Sequence, residues 1–313
     1  MQLFEPGPLI FSAALAAVAF VLGVVLRSGH LGDRDSSRFV RGLEPGLLAL
    51  TGSLLARALI VALLSGEPSD GTVVALGWAF GLVPGVIDTI PWIAGEPLPF
   101  GAAGLAWFAA VAGGLTGMMD GLWRTHRWKG LGVLSSLLDC TWGLSGSTTG
   151  CLLHLFNFAW AGHATGADEI RTGAHRYRSG FRILPDYAFT QGAVMSNMSS
   201  YTPSSSLWKH ENTHVWQNRG FGPFFTLTYI AWMVLLLVPG LIAGIAKGRV
   251  GAGIEWWSYY NNPWEVWAYE ANNPTSRDKS DALCWPLPAV LGLGILLFLG
   301  LVAAYIPVAL AAL

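Results

Sequence analysis

Charge is what this chain of 313 residues has least of: only 12% of its residues are Asp, Glu, Lys or Arg, and lysine occurs four times. Soluble globular domains carry roughly 25% charged residues. Half of the expected hydrated surface is therefore missing, which excludes a soluble globule. A net charge of -1 without any basic block excludes an electrostatic nucleic-acid binder, so no nucleic-acid partner is expected. The same composition excludes disorder, collagen and a coiled coil. Cysteine is also scarce. Cys140, Cys151 and Cys284 lie in or beside apolar stretches and form neither a disulfide framework nor a C-x-x-C metal pair.

Apolar runs take the place of charge: 53% of the residues are hydrophobic and the mean hydropathy is +0.48. A helix of about 20 apolar residues spans the hydrocarbon core of a bilayer. That ruler picks out Pro8–Leu26, Gly46–Leu64, Val73–Ala94, Gly101–Met119, Leu131–Ala161, Pro223–Ala246 and Pro286–Leu313. The first residues, Met1-Gln-Leu-Phe-Glu-Pro6, carry no basic n-region, and no A-x-A site follows the first run. That run is expected to be retained as a span. The fold class expected is mainly α: a polytopic helical bundle of about six or seven hydrophobic segments with a small α/β insert. Its three parts are a bundle over 1–161, a polar insert over 162–222 and membrane segments over 223–313. The partner expected on composition is the lipid bilayer, in a cytoplasmic membrane of bacterial type.

Three glycine ladders recur: Gly77-x3-Gly81-x3-Gly85, Gly113-x3-Gly117-x3-Gly121 and Gly240-x3-Gly244-x3-Gly248. Such faces let helix backbones touch in lipid, either within one bundle or between two copies in a homodimer. Arg27, Arg34, Arg38 and Arg41 crowd one loop, and Arg124, Arg127 and Lys129 another. The positive-inside rule places both on one side, which requires an even number of crossings between them. Of the candidate segments in that interval, Val73–Ala94 is interrupted by Pro84, Asp88 and Pro91, and is expected to be a re-entrant or paired half-helix. Arg57, Asp88 and Asp139 lie inside apolar stretches and are expected to form Arg–Asp pairs between helices, or else to handle substrate or protons.

The one long hydrophilic stretch is Gly162–Gly222. Short alternating runs around His175–Pro185 and Tyr187–Ser196 predict two or three β-strands. After the serines at 204–206, Leu207–Arg219 predicts a helix that stops at Gly220 and Gly222-Pro223. Within it His210-Glu211-Asn212-Thr213-His214 is an H-E-x-x-H pattern. Residues i and i+4 share a helix face, so both imidazoles can reach one Zn²⁺, while the glutamate stands beside the ion and can take a proton from water. From this composition, chance produces the pattern about 0.004 times. A catalytic zinc site needs a third protein ligand. Glu265, in Asn262-Pro-Trp-Glu265, is the candidate, with Glu270 and Glu255 as alternatives. Asn262-x-x-Glu265 is equally a capping-box spacing. Tyr269, one turn beyond Glu265, offers a hydroxyl to an oxyanion or simply packs.

His210–His214 followed by a glutamate on a second helix resembles the H-E-x-x-H-plus-Glu zinc peptidases, the gluzincins. The membrane-embedded kind, such as CAAX prenyl endopeptidases and HtpX-type proteases, looks most similar. The resemblance covers Leu207–Asn218 and Asn262–Ala271. It implies that His210, His214 and Glu265 bind zinc, that Glu211 is the general base and acid, and that the substrate is a peptide or membrane protein. Where that family has Asp four residues after the ligand glutamate, this chain has Tyr269. For both patches to meet, the chain must double back near Pro239-Gly240 or the site must be sunk in a protected cavity, because Pro223–Ala246 lies between them.

Two rival readings arise from the same sequence. Gly143-Leu-Ser145-Gly146 matches the short G-x-S-G of rhomboid serine peptidases, with His154 or His163 as base, although packing by small residues explains it as well. A structural zinc site without catalysis is the other, with His154, His163 or His175 supplying a fourth ligand. The fifteen Trp include Trp208, Trp216, Trp256, Trp257, Trp264, Trp267 and Trp285 beside the two patches, as in an interfacial aromatic belt; Trp264 or Trp267 could also line a substrate channel.

Overall fold

The computed structural model describes residues 5–27, 37–158, 163, 171–183, 187–199, 204–272 and 287–312. Cys284, Trp285, Arg34 and the end of the Leu131–Ala161 run lie outside the described residues. Among those described, helices dominate. Five of them are long and apolar enough to cross a membrane: α1 (Pro6–Leu26), α2 (Arg38–Leu63), α5 (Gly101–Leu122), α9 (Pro223–Ala246) and α12 (Leu287–Ala312).

Helices α1, α2 and α5 form the first bundle, and glycine sets their separation. A Cβ on Gly117 would lie 2.0 Å from the Leu48 carbonyl oxygen, and one on Gly121 would lie 2.3 Å from Pro45 Cα. The ladder Gly113-x3-Gly117-x3-Gly121 is thus spent on α2 within the chain. The other two ladders are also used internally, Gly77 against Gly85 and Gly240 with Gly244 against Gly253 and Val250.

Between α2 and α5 the chain makes a helical hairpin. Here α3 (Asp70–Leu76) runs into a π-helical turn at Gly77–Gly81, breaks at Leu82 (φ 55°), and returns as α4 (Val83–Ala94). Trp78 Nε1 donates to Thr89 Oγ1 at 2.8 Å across the two limbs. Each limb is about 18 Å long at 1.5 Å per residue, short of a bilayer core of about 30 Å. Two long helices, α2 and α5, therefore separate the two basic loops. Those loops meet at one end of the bundle, where Glu44 accepts from Arg27 at 3.1 Å, from Trp128 Nε1 at 2.7 Å and from Arg171 at 2.5 Å.

The intramembrane charges pair differently from the expectation. Arg57 meets Glu5 at 3.0 Å, a residue far away in sequence. Asp88 accepts from the backbone N–H groups of Phe100 and Gly101 at 2.9 and 3.2 Å, supplying acceptors at the start of α5. Among the described residues, Asp139 alone of the three forms an Arg–Asp pair, and its partner is Arg219. The Leu131–Ala161 run is no single span either. It divides at Cys140–Gly143 into α6 (Leu131–Asp139) and α7 (Leu144–Phe158), about 14 and 22 Å long.

The insert holds a three-stranded sheet in the order β1 (His175–Arg176), β3 (Val194–Ser196), β2 (Phe189–Gln191). Strands β2 and β3 are an antiparallel hairpin, β1 joins β3 in parallel, and β2 forms an outer edge. At the hairpin turn Gly192 has φ 56° and rests on Gly146 of α7, where a Cβ would come within 2.3 Å of the Gly146 carbonyl. Then α8 (Ser206–Phe221) leads directly into α9.

Helix α9 runs unbroken through Pro239, so the chain does not double back at Pro239-Gly240. The reversal comes at Lys247–Arg249, where Gly248 has φ 64°. The return limb, α10 (Val250–Glu255), a π-helical turn at Trp256–Tyr260 and α11 (Pro263–Asn272), then runs back along α9. Its contacts climb in order: Gly253 on Gly240, Trp257 O on Trp232 Nε1 at 3.2 Å, Asn262 Nδ2 on Tyr229 O at 3.3 Å, Trp264 Nε1 on Thr228 Oγ1 at 2.9 Å. This return carries Glu265 back beside α8.

Candidate metal centre

Helix α8 is capped by Ser205, whose hydroxyl accepts from Trp208 N at 3.2 Å. Three faces of the helix are fixed by packing. Val215 is buried against Ala193, Met195 and Met198 of the sheet region. Asn218 sits in a notch of α7, donating to the Gly143 carbonyl at 3.3 Å, and a Cβ on Gly146 would strike its side-chain amide at 2.3 Å. Arg219 makes a bidentate pair with Asp139 at 2.9 and 2.6 Å and donates to the Gly173 carbonyl at 2.6 Å. What remains is the face bearing His210, Glu211 and His214, turned toward α11 and β2.

There His210 Nε2 and His214 Nε2 lie 3.2 Å apart, and each is 3.3 Å from a different oxygen of Glu265. All three side chains are buried, with 3%, 7% and 3% exposure. Neither Glu255 nor Glu270 joins this group among the described residues. Glu255 instead accepts from Tyr187 at 2.7 Å. The capping role of Glu265 is also absent: Asn262 caps α11 through Trp264 N at 3.2 Å, while its own N–H donates to the Tyr259 carbonyl at 2.8 Å. Tyr229 donates to Glu265 Oε1 at 2.6 Å, yet the buried Oε2 has no hydrogen bond. Glu211 is held by Thr190 of β2, whose hydroxyl donates to Oε2 at 2.6 Å. Gln217 accepts from His214 Nδ1 at 2.8 Å. The ring of Tyr269 lies against His210, centroids 4.4 Å apart.

Electrostatics follow from this crowding. Burial disfavours charge on His214, but the Glu265 carboxylate beside it outweighs that and pushes the imidazole up to about 9. Burial would raise Glu265, but the charge of His214 and the two imidazoles against its oxygens hold its carboxyl well below the usual range. Two imidazoles and a carboxylate gathered within reach of one another, with one carboxylate oxygen left without a hydrogen bond, are a group that could hold a cation.

A second buried cluster, Asp120, His126 and Asp139, has the opposite character. His126 Nε2 bonds Asp120 at 3.0 Å, and its Nδ1 is 2.9 Å from Ser135. The other Asp120 oxygen takes His175 at 2.9 Å, and His175 in turn meets His163 at 3.1 Å. Both Asp139 oxygens are filled by Arg219. Burial opposes charge on His126, but Asp120 and then Asp139 raise its pKa above the ordinary value. Two carboxylates face one guanidinium and favour the protonated form of His126, and the hydrogen bonds close without an ion.

No family model, curated protein or solved structure matches this chain. The chemistry therefore rests on the arrangement of side chains alone. Ser145 is buried without a hydrogen bond, and His154, nine residues along the same helix, is displaced by about 13 Å of helix rise. His154 bonds Tyr177 at 2.7 Å and His163 bonds His175, so no Ser–His pair forms among the described residues. His154, His163 and His175 lie with the second cluster and offer no fourth ligand to the first. Trp264 is core, packed on Phe221 and Phe225, whereas Trp267 and Trp216 are exposed. Sequence reasoning missed Gln217, Thr190 and Tyr229. Gln217, three residues after His214 and so on its helix face, carried a readable signal; the other two act across the fold.

Proposed function

We propose that this protein is an integral-membrane zinc metallopeptidase that hydrolyses a peptide bond in a membrane-associated substrate. One observation carries the reading. Zinc bonds of about 2.0–2.2 Å to nitrogen and oxygen separate two ligand atoms of a tetrahedral site by about 3.3–3.5 Å. The two imidazole nitrogens of His210 and His214 stand 3.2 Å apart, close to that separation, and the Glu265 carboxylate faces both, with a different oxygen 3.3 Å from each nitrogen. Three N/O ligands leave a fourth position open, the catalytic pattern; structural sites are closed by four ligands and rich in cysteine. Zinc held by these three residues would supply a Lewis acid that acidifies water and polarises a carbonyl.

The remaining work falls to the chain's own groups. Glu211, held by Thr190, takes a proton from the attacking water and returns it to the amine released when the C–N bond breaks. Tyr269, whose ring lies against His210 with centroids 4.4 Å apart, would donate its hydroxyl to the oxyanion. The outer edge of β2, next to Glu211, supports pairing with an extended substrate segment. The site lies at the start of α9, at the end of the bundle bearing both basic loops. The positive-inside rule then puts it on the cytoplasmic side of a bacterial-type membrane.

Glu211→Gln tests the mechanism. Hydrolysis of a membrane-tethered peptide should fall roughly 10²–10⁴-fold, with bound zinc retained. Undiminished hydrolysis would overturn the catalytic reading and favour a structural zinc.

A further inference from the structure

Gln217 makes two hydrogen bonds whose directions fix one another. Its Nε2 stands 3.0 Å from the carbonyl oxygen of Trp264, and its Oε1 stands 2.8 Å from His214 Nδ1. A carbonyl only accepts, so the amide atom facing Trp264 is the NH₂ group and the atom facing His214 is the oxygen. His214 Nδ1 must then carry a proton. In the neutral ring the lone pair is then on Nε2, the atom directed at Glu265 and His210.

We propose that Gln217 is the positioning residue of the metal centre. It sets the tautomer of His214 and ties α8 to α11 through the residue before Glu265, so that the two ligand-bearing helices are joined before any ion arrives. The inference rests on the zinc site proposed above. An amide performs both tasks at once. A carboxylate performs only the first, because its second oxygen would face the Trp264 carbonyl lone pair against lone pair. Gln217 is 1% exposed, so water cannot replace it at either contact. His210 has no such support, since its buried Nδ1 has no hydrogen-bond partner. Outer partners of ligand histidines fix ring orientation and basicity, and losing one typically costs roughly 10–100-fold in metal affinity.

The test is zinc affinity of the full chain in detergent, measured by competition with a chromophoric chelator, for wild type, Gln217→Leu and Gln217→Glu. Melting of the metal-free proteins is followed alongside. The leucine variant should bind zinc roughly 10–100-fold more weakly. The glutamate variant keeps the acceptor on His214 but loses the tie to Trp264, and should bind zinc with an affinity between those of the leucine variant and wild type, a partial rescue that a merely structural role does not predict. Leucine-variant affinity within about threefold of wild type would overturn the proposal, as would equal weakening in both variants. Should the leucine variant not fold, a glutamate variant more than about 100-fold weaker than wild type overturns it. A wild type that binds no zinc removes the metal site itself, and this inference with it. A wild type that binds zinc beside unaffected variants removes this inference alone.

Discussion

Replacing Asp139 by alanine strips Arg219 of its carboxylate in a place where water cannot reach: both side chains are 1% exposed and the pair is bidentate. The guanidinium would keep the Gly173 carbonyl and its stacking over Trp216 at 5.1 Å, neither of which carries a negative charge. Removing one partner of a buried ion pair costs about 3–5 kcal/mol, because the other charge is left uncompensated. In the wild type Asp120 and Asp139 face Arg219 and favour the protonated form of His126; the variant lacks one of those two negative charges. Its cheapest relief is loss of the His126 proton, so the penalty should be larger at pH 6 than at pH 8. The assay is reversible unfolding in mixed micelles, with Arg219→Met and the double variant completing a cycle. Each single variant should lose about 3–5 kcal/mol, and the double variant clearly less than their sum. A single-variant loss below about 1 kcal/mol, or additive losses, would refute the buried-pair reasoning.

Further outcomes follow from the same geometry. Gly117→Ala would place a Cβ 2.0 Å from the Leu48 carbonyl and force α2 and α5 apart, which should cost about 1–3 kcal/mol in the same unfolding assay; an unchanged stability would mean the two helices do not touch there. His126 has a raised folded pKa. Its contribution to stability is therefore fully present below the unfolded value of about 6.5 and is lost as pH rises through the folded one. Stability should decline across that interval, and His126→Asn should flatten the slope; an identical slope in the variant would contradict the assignment.

Local patterns in the sequence revealed the elements whose causes are local. Helix α8 was legible from its serine caps, its stop at Gly220–Pro223 and the spacing of His210 and His214. The interruption of Val73–Ala94 by Pro84, Asp88 and Pro91 pointed to half-helices, and a hairpin forms there. Asn262 and Pro263 marked the start of α11. What escaped depends on distant contacts. Arg57 finds Glu5 rather than an aspartate, and the break in Leu131–Ala161 at Cys140–Gly143 follows from the notch that Gly143 and Gly146 make for Asn218. The spacing that suggested a serine nucleophile is thus a packing surface. The Asp120–His126–His175 cluster draws on two segments far apart in the chain, neither of which has a pattern of its own. Of the two ways for the patches to meet, a reversal near Pro239-Gly240 does not occur, although Pro239-Gly240 reads as a breaker, and the chain turns instead at Gly248. Proline within an apolar helix is tolerated when neighbours pack around it, and here Gly240 packs on Gly253.

The central claim is that His210, His214 and Glu265 hold one zinc ion. Zinc content per chain, by elemental analysis of the detergent-purified wild type beside His214→Ala, tests it most directly. The account predicts close to one zinc per wild-type chain and almost none in the variant. A folded wild type that takes up no zinc even when supplied with it, or a variant that holds as much as the wild type, would contradict the claim.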